Sequence, residues 1–177
     1  MEYIQGPGEF YIWEDTAVTL GKFDGLHRGH QKLIRRILEL ERQGCKSVVF
    51  TLSSGEKGQL LSASERKQRV EQMGVSYFID YPLVPEILRM EPEEFVSEIL
   101  VKRLQVRYII VGEDYRFGYQ RKGNYRLLME LQKTYGFCVE VIKKEQYHGK
   151  DISSTYIKEV LKTGNMDLAN ELLGYSL

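Results

Sequence analysis

The chain has 177 residues, enough for one domain with a hydrophobic core, and its 25 lysines and arginines balance its 25 aspartates and glutamates. A protein that binds polyanions in general would be more basic, so DNA or RNA is not expected as the partner. Residues 1–7 do not resemble a signal peptide, and no apolar run reaches membrane-spanning length. We therefore expect a cytoplasmic, membrane-independent, single domain over residues 1–177.

The two cysteines, Cys45 and Cys138, are far apart and lack the spacing of metal ligands. A disulfide framework would need more cysteines in a shorter chain. Each precedes or begins an apolar stretch, so both are predicted to be buried, reduced thiols at the starts of strands.

The first half of the chain begins with a unit of strand, helix and strand. Residues 9–13 are predicted to form a short edge strand or a strand-like lead-in, and residues 17–20 a buried parallel strand. Residues 31–43 have apolar side chains at helical spacing, and Gly44 is placed to end that helix. Residues 46–52 form the second strand, which gives a right-handed crossover.

The rest of the chain continues to alternate helices and strands. The predicted elements are a capped helix at 62–73, a strand at 75–80, an irregular stretch at 81–90, a helix from Pro92 to about Leu104, a strand at 106–112, a helix at 125–135 ended by Gly136, a strand at 137–143, and helices at 155–162 and 166–173. This order predicts an α/β fold with a doubly wound, mainly parallel, five-stranded sheet and helices on both faces. If the strands that end at Leu20 and Val111 are neighbours, the loops after them open onto one crevice, where such sheets bind ligands.

A pair of histidines lies where the first strand gives way to the first helix. The stretch reads Leu20-Gly21-Lys22-Phe23-Asp24-Gly25-Leu26-His27-Arg28-Gly29-His30. Free N–H groups and the macrodipole of a helix N-terminus favour anions, Gly29 lets a phosphate approach the backbone, and imidazoles can donate hydrogen bonds to phosphate oxygens. If the attacking group is a phosphate monoester, it is already largely dianionic at neutral pH and needs no general base. The stretch therefore predicts a site for phosphoryl or nucleotidyl transfer.

Other interpretations of the two histidines stay open at this point. They could be surface residues or cap the helix, and a zinc site is a third possibility, although no further ligand has a suitable spacing.

Several motifs resemble one protein family. The stretch from Gly21 to His30 resembles the H-x-G-H signature of nucleotidylyltransferases, and more narrowly that of the adenylyltransferase domain of prokaryotic FAD synthetases. The same family's central motif is similar to Gly112-Glu113-Asp114-Tyr115-Arg116-Phe117-Gly118 with Arg121 and Gly123, and its I-S-S-T motif to Ile152-Ser153-Ser154-Thr155. Gly164 and residues 169–174 resemble the run into the family's L-G ending. The motifs occur in the family's order over nearly the whole chain.

The resemblance implies a Rossmann-like nucleotidylyltransferase that converts ATP and FMN, with Mg²⁺, into FAD and pyrophosphate. It implies that His27 and His30 contact the phosphates and stabilise charge as pyrophosphate leaves, with Lys158 in the catalytic set. The implied ATP-binding residues are Gly21, Lys22, Phe23, Asp24, Gly29, Gly112, Asp114, Ser153, Ser154 and Thr155, and the implied flavin-binding residues are Phe117, Arg121 and Asn124. No protein metal ligands are implied, because Mg²⁺ would be held mainly by phosphates and water.

The sequence also departs from the family pattern at three places. Phe50-Thr51-Leu52-Ser53-Ser54-Gly55 lacks the prolines and the histidine that often follow the second strand in the family, in a loop expected near the flavin. Lys158 stands where the family has arginine, which keeps the charge but loses the bidentate fork. The family's riboflavin kinase module is absent, so no conversion of riboflavin to FMN is expected. A different phosphorylated acceptor, such as nicotinate mononucleotide, a pantetheine phosphate or a polyol phosphate, and a catalytically idle flavin- or nucleotide-binding module are the alternatives.

Overall fold

A computed structural model describes residues 1–53 and 58–177 and contains a six-stranded parallel sheet with helices on both faces. The strands are β1 (Glu2–Gln5), β2 (Thr16–Leu20), β3 (Lys46–Ser53), β4 (Tyr77–Pro82), β5 (Val106–Gly112), β6 (Arg116–Phe117), β7 (Gly123–Asn124), β8 (Cys138–Ile142), β9 (Gln146–Tyr147) and β10 (Lys150–Asp151). The helices are α1 (Arg28–Glu41), α2 (Ala63–Gln72), α3 (Pro85–Arg89), α4 (Pro92–Glu94, continued by π-helical turns over Phe95–Arg103), α5 (Tyr125–Tyr135), α6 (Ser154–Lys162) and α7 (Met166–Leu173).

The order of the large sheet is β1-β4-β3-β2-β5-β8, and all neighbouring strands are parallel. Buried side chains of α1 and α2 pack on one face, and those of α4 and α5 pack on the other. The chain changes direction across the sheet between β2 and β5, so their carboxyl ends form the switch point where such folds bind ligands. The predicted doubly wound class and the predicted adjacency of these two strands are confirmed.

The helix α1 follows directly from its apolar stripe. Leu33, Ile34, Ile37 and Leu40 are buried against the sheet, and each such side chain contributes about 1.5–3 kcal/mol by its burial. The helix begins three residues earlier than predicted, at Arg28, so that His30 lies within its first turn.

The predicted number of strands was wrong. The sheet has six strands because Glu2–Gln5 pairs with β4 and forms the edge, whereas residues 9–13 are not a strand. The lead-in is instead packed by its side chains, with Phe10 and Ile12 buried.

Smaller differences have local causes. Pro85 begins a short helix within the stretch predicted to be irregular, because proline suits the first position of a helix. Cys45 is buried as predicted, but Cys138 is exposed, because it begins β8 at the edge of the sheet. Two small hairpins, β6–β7 and β9–β10, were not predicted.

The loop that departs from the family pattern lies mostly outside the described residues. None of the described helices combines the length and the apolar character needed to cross a bilayer.

Candidate active site

The turn between β2 and α1 has a strained backbone. Residues 24–26 form a single 3₁₀ turn, and His27 follows as the extended N-cap of α1. Just before His27, φ is 48° at Phe23, 76° at Gly25 and 42° at Leu26. A left-handed conformation costs a residue other than glycine about 1 kcal/mol or more, so this turn has to be held by its surroundings.

The turn brings the two predicted catalytic histidines together. The rings of His27 and His30 stack with their centroids 3.7 Å apart and their planes 22° apart. The ring of Phe23, which is fully buried, lies 5.1 Å from that of His30. The Nδ1 atom of each histidine is buried and has no hydrogen-bond partner among the described residues. The pair is thus held by ring packing rather than by hydrogen bonds at Nδ1.

Burial decides the charge of these histidines. Burial lowers the pKa of His27 to about 4, although the nearby carboxylates of Asp24 and Asp114 act in the opposite direction. Burial, and secondarily the neighbouring His27, lowers the pKa of His30 well below its usual value. Both imidazoles are therefore neutral at pH 7 and each has one N–H to donate. A bound polyphosphate would favour their protonated forms.

The glycines of the turn make room for its rings. A Cβ atom at Gly29 would lie 3.1 Å from Cε1 and 3.2 Å from Nδ1 of His27, and a Cβ at Gly21 would lie 3.2 Å from the Phe23 ring. The sequence indicated that Gly29 opens the backbone to a phosphate. The structure adds a second reason for glycine, because a side chain there would displace the His27 ring.

Asp24 joins this turn to the start of α6. Its Oδ1 accepts a hydrogen bond from the backbone N–H of Leu60 at 2.7 Å, and its Oδ2 lies 2.5 Å from the ammonium of Lys158. Its backbone carbonyl accepts a hydrogen bond from the Ser154 hydroxyl at 2.7 Å. Residues from two distant motifs therefore meet here, and Lys158 lies beside the histidine turn.

The other hydroxyl residues of the I-S-S-T motif have different surroundings. Ser153 caps α6, and its Oγ accepts a hydrogen bond from the backbone N–H of Tyr156 at 3.1 Å. Thr155 is exposed in the first turn of the helix. The N-cap function expected of a serine before a helix is therefore present, and it leaves the Ser153 hydroxyl free to donate.

The loop after β5 lies on the same side of the site. Gly112 ends β5, and a Cβ there would lie 3.2 Å from Oδ1 of Asp114. The Asp114 carboxylate is close enough to His27 to act on its pKa, and its Oδ2 lies 3.2 Å from Nζ of Lys144. The loops after β2 and β5 thus lie close together, as expected from the adjacency of these strands.

Comparison with known proteins identifies the family that has this arrangement. A sequence profile described as FAD synthetase matches residues 10–156, which include the histidine turn, the loop after β5 and the start of α6. The chain belongs to the FAD synthetase family.

Curated relatives match most of this chain. The chain is 30% identical over 172 residues to the bifunctional riboflavin kinase/FMN adenylyltransferase of Escherichia coli K12, and 33% identical over 174 residues to that of Buchnera aphidicola from Schizaphis graminum. Each alignment covers 92% of this chain, but 55% and 56% of the respective relative. The chain therefore spans about half the length of these relatives.

A solved structure also has the same fold. A crystal structure described as a macrolide-efflux protein from Streptococcus pneumoniae superimposes with a TM-score of 0.81 and 25% sequence identity, over 99% of this chain and 62% of that one. The similarity supports the doubly wound arrangement of the sheet.

The three residues that the FAD synthetase resemblance assigned to the flavin differ in their exposure to solvent. The ring of Phe117 is 3% exposed, packs 5.8 Å from Phe95, and leaves no room for a Cβ at Gly123. This burial favours a core position over the predicted stacking surface. Arg121 is exposed in a left-handed conformation, and the Asn124 side chain caps α5 through the N–H groups of the first turn.

Two side chains at the turn were missed by the sequence reasoning. Gln31 and Tyr175 donate hydrogen bonds to backbone carbonyls of residues 25–26. The position of Gln31 directly after His30 could have drawn attention to it. The sequence around Tyr175 has no such signal, because its contact joins residues 150 positions apart.

The described acidic and histidine side chains are not arranged as a metal centre. No group of three or more His, Cys, Asp or Glu residues within 1–53 and 58–177 is arranged to hold a metal ion. Both Asp24 oxygens are already occupied by Leu60 and Lys158.

Proposed function

We propose that this chain is an FMN adenylyltransferase, in which the phosphate of FMN attacks the α-phosphate of ATP to give FAD and pyrophosphate. The observation that carries this proposal is that the start of α6 contacts the turn that carries the stacked histidines. Ser154 at the start of α6 donates a hydrogen bond of 2.7 Å to the Asp24 carbonyl of that turn, and Lys158 pairs with the Asp24 carboxylate. Membership of the FAD synthetase family and the names of the curated relatives support flavin as the acceptor.

The geometry suits the charge changes of this reaction. The attacking FMN phosphate is already anionic and needs no proton removed. The neutral imidazoles of His27 and His30 each donate a hydrogen bond, and a proton taken up as the triphosphate binds would strengthen that contact while pyrophosphate departs. Lys158, in the second turn of α6 and paired with Asp24, supplies a positive charge near the histidine turn. At the start of the same helix, the Ser153 hydroxyl, Thr155 and free N–H groups suit the terminal phosphates.

Substrate ATP would enter as its Mg²⁺ complex. The metal would neutralise charge on the phosphates and would be held mainly by the nucleotide and water. Gly21, Lys22, Phe23, Asp24, Gly29, Gly112 and Asp114 would shape the adenosine half of the crevice. Arg121 and Asn124 remain candidates for the flavin half, whereas the buried Phe117 fits a core position better.

The remaining features fit a protein that works on small molecules in a reducing compartment. Both cysteines are unpaired, and the formal net charge is zero. We therefore extend the proposal to a single cytoplasmic domain over residues 1–177 that does not bind nucleic acid or membranes.

The proposal is tested by incubating the protein with ATP, Mg²⁺ and FMN and measuring FAD by chromatography. We expect FAD from the wild type and a much larger loss of turnover than of nucleotide binding in His30→Ala. The matched control is His148→Ala, in an exposed turn between β9 and β10. Absence of FAD at high protein concentration would reject the proposal, and binding of ATP and FMN without turnover would indicate an idle binding module.

A second candidate is nucleotidyl transfer to a different phosphorylated acceptor. It is favoured by the sequence after β3, which lacks the prolines and histidine of the family pattern on the expected acceptor side. A pyrophosphate-release screen with FMN, nicotinate mononucleotide, a pantetheine phosphate and a polyol phosphate distinguishes the two candidates, because FMN should give the highest rate if the first is correct.

A further inference from the structure

The strained turn before His27 has carbonyl groups that are held by side chains from three separate elements. The carbonyl of Asp24 accepts from Ser154 in α6, that of Gly25 from Tyr175 after α7, and that of Leu26 from Gln31 in α1. Helical hydrogen bonding cannot satisfy these groups, because the left-handed residues break the regular pattern.

Gln31 connects the turn with the end of α7. Its amide nitrogen donates to the Leu26 carbonyl at 2.9 Å and to the Leu173 carbonyl at 2.7 Å, which uses both of its hydrogens. The amide group therefore fixes the position of Leu26 relative to the C-terminal helix.

Tyr175 holds the middle of the turn. Its hydroxyl donates to the Gly25 carbonyl at 2.5 Å, and its ring lies under the guanidinium of Arg69, 3.5 Å from the ring centroid. The adjacent Gly174 ends α7 in a left-handed conformation, and a Cβ there would lie 3.1 Å from Cγ of Arg28. The ring is thus fixed independently of the hydrogen bond that its hydroxyl makes.

Ser154 holds the first carbonyl of the turn and has no other hydroxyl hydrogen to donate. A serine hydroxyl has one hydrogen, and here that hydrogen is donated to Asp24 at 2.7 Å. It has no second hydrogen for an anionic phosphate oxygen. Within the I-S-S-T motif this makes Ser153, rather than Ser154, the hydroxyl that can donate to a phosphate.

We propose that Gln31, Ser154 and Tyr175 are positioning residues that hold the left-handed turn and so fix the His27 ring for nucleotidyl transfer. This inference rests on the proposed function for its kinetic consequence. None of the three needs to touch the substrate. Their effect passes through the carbonyls of residues 24–26, which immediately precede the N-cap His27.

The test uses Tyr175→Phe, which removes the hydroxyl and keeps the ring beside Arg69. We expect kcat for FAD formation to fall about tenfold, because a displaced catalytic ring loses alignment, while KM for ATP changes less than about twofold. In parallel, the Cε1–H signal of His27 is titrated by NMR. A loosened turn admits water to the ring, so its pKa should rise from about 4 towards 6.5.

The matched control is Tyr147→Phe, which also removes a tyrosine hydroxyl that holds the C-terminal helices. That hydroxyl donates to Glu171 in α7 at 2.9 Å and is not bonded to the turn. We expect kcat and the His27 titration of this control to equal those of the wild type. If Tyr175→Phe behaves like the control in both measurements, the inference is overturned.

A second pair of variants guards against an uninformative result. Gln31→Glu replaces the donor to Leu26 with an acceptor, and Gln105→Glu makes the same change where the amide donates to the exposed Lys102 carbonyl at 3.3 Å. We expect loss of kcat in the first variant alone, and equal kcat in the two would contradict the inference. If the wild type makes no FAD, the proposed function fails, but the His27 titration still decides whether these side chains hold the turn.

Discussion

The buried histidine pair should make the protein sensitive to mild acid. In the unfolded chain the His27 imidazole takes up a proton near its ordinary pKa of 6.5, whereas in the folded protein it does so near 4. Between these values the unfolded state binds more protons, so the free energy of unfolding falls as the pH falls. From pH 7.5 to pH 5 the difference is worth about 2 kcal/mol for His27 alone, at 1.36 kcal/mol per pKa unit. The lowered pKa of His30 acts in the same direction.

The assay is urea unfolding at a series of pH values between 7.5 and 5, followed by far-UV circular dichroism. Fluorescence is less suitable, because Trp13, the chain's single tryptophan, is 78% exposed. In His27→Asn we expect the fall in unfolding free energy over this range to shrink by about 2 kcal/mol. The control is His148→Asn, whose side chain is exposed to water in the folded and unfolded protein alike, and it should keep the wild-type slope.

The slope with pH, rather than the stability at one pH, decides this prediction. His27→Asn also removes a packed ring, so a lower stability at pH 7.5 is expected and is not diagnostic. If the variant retains the wild-type dependence on pH, the burial of a neutral His27 is not what makes the protein acid-sensitive, and the reasoning is refuted.

Three further predictions follow from other features. Asp80→Asn should lower the free energy of unfolding measured in urea by about 3–5 kcal/mol, because it leaves the buried guanidinium of Arg66, 2.7 Å away, without its carboxylate partner. The control Asp15→Asn breaks an exposed ion pair and should cost under about 1 kcal/mol, and similar losses in the two variants would disprove the prediction. Gly29→Ala should lower kcat about tenfold by displacing the His27 ring, with little loss of stability since alanine favours helix; wild-type turnover would contradict this. Chelation of Mg²⁺ should abolish pyrophosphate release and leave the circular dichroism spectrum unchanged, and loss of structure would instead indicate a resident metal.

Local signals predicted the parts of the fold that local chemistry determines. Ser62 and Glu65 form a capping box at the start of the helix that was predicted to be capped, and Gly136 ends α5 in the left-handed conformation expected of a terminating glycine. By contrast, β1 is a four-residue edge strand that pairs with β4, about 75 positions away. No periodicity develops in so short a segment, so its pairing could not be read from its own residues.

The sequence predicted which residues come together at the candidate site, but not which of their groups already have hydrogen-bond partners within the protein. The sequence identified His27 and His30, and the adjacency of two strands predicted that the loops carrying the other motifs would meet. It could not separate Ser153 from Ser154, because that difference depends on which hydroxyl hydrogen is already donated to Asp24. Nor could it place Phe117, since its burial depends on Phe95 and Gly123 packing against the ring.

Two of the hydrogen bonds that hold the histidine turn come from residues that are synthesised after the sheet. All six strands of the large sheet have left the ribosome once Ile142 emerges, but the donors Ser154 and Tyr175 have not. Their bonds to the turn close loops of 130 and 150 residues, which are among the longest contacts in the chain. A nascent chain can therefore have its complete sheet before the Asp24 and Gly25 carbonyls receive these hydrogen bonds, and the candidate site is assembled only after residues 154–175 have emerged.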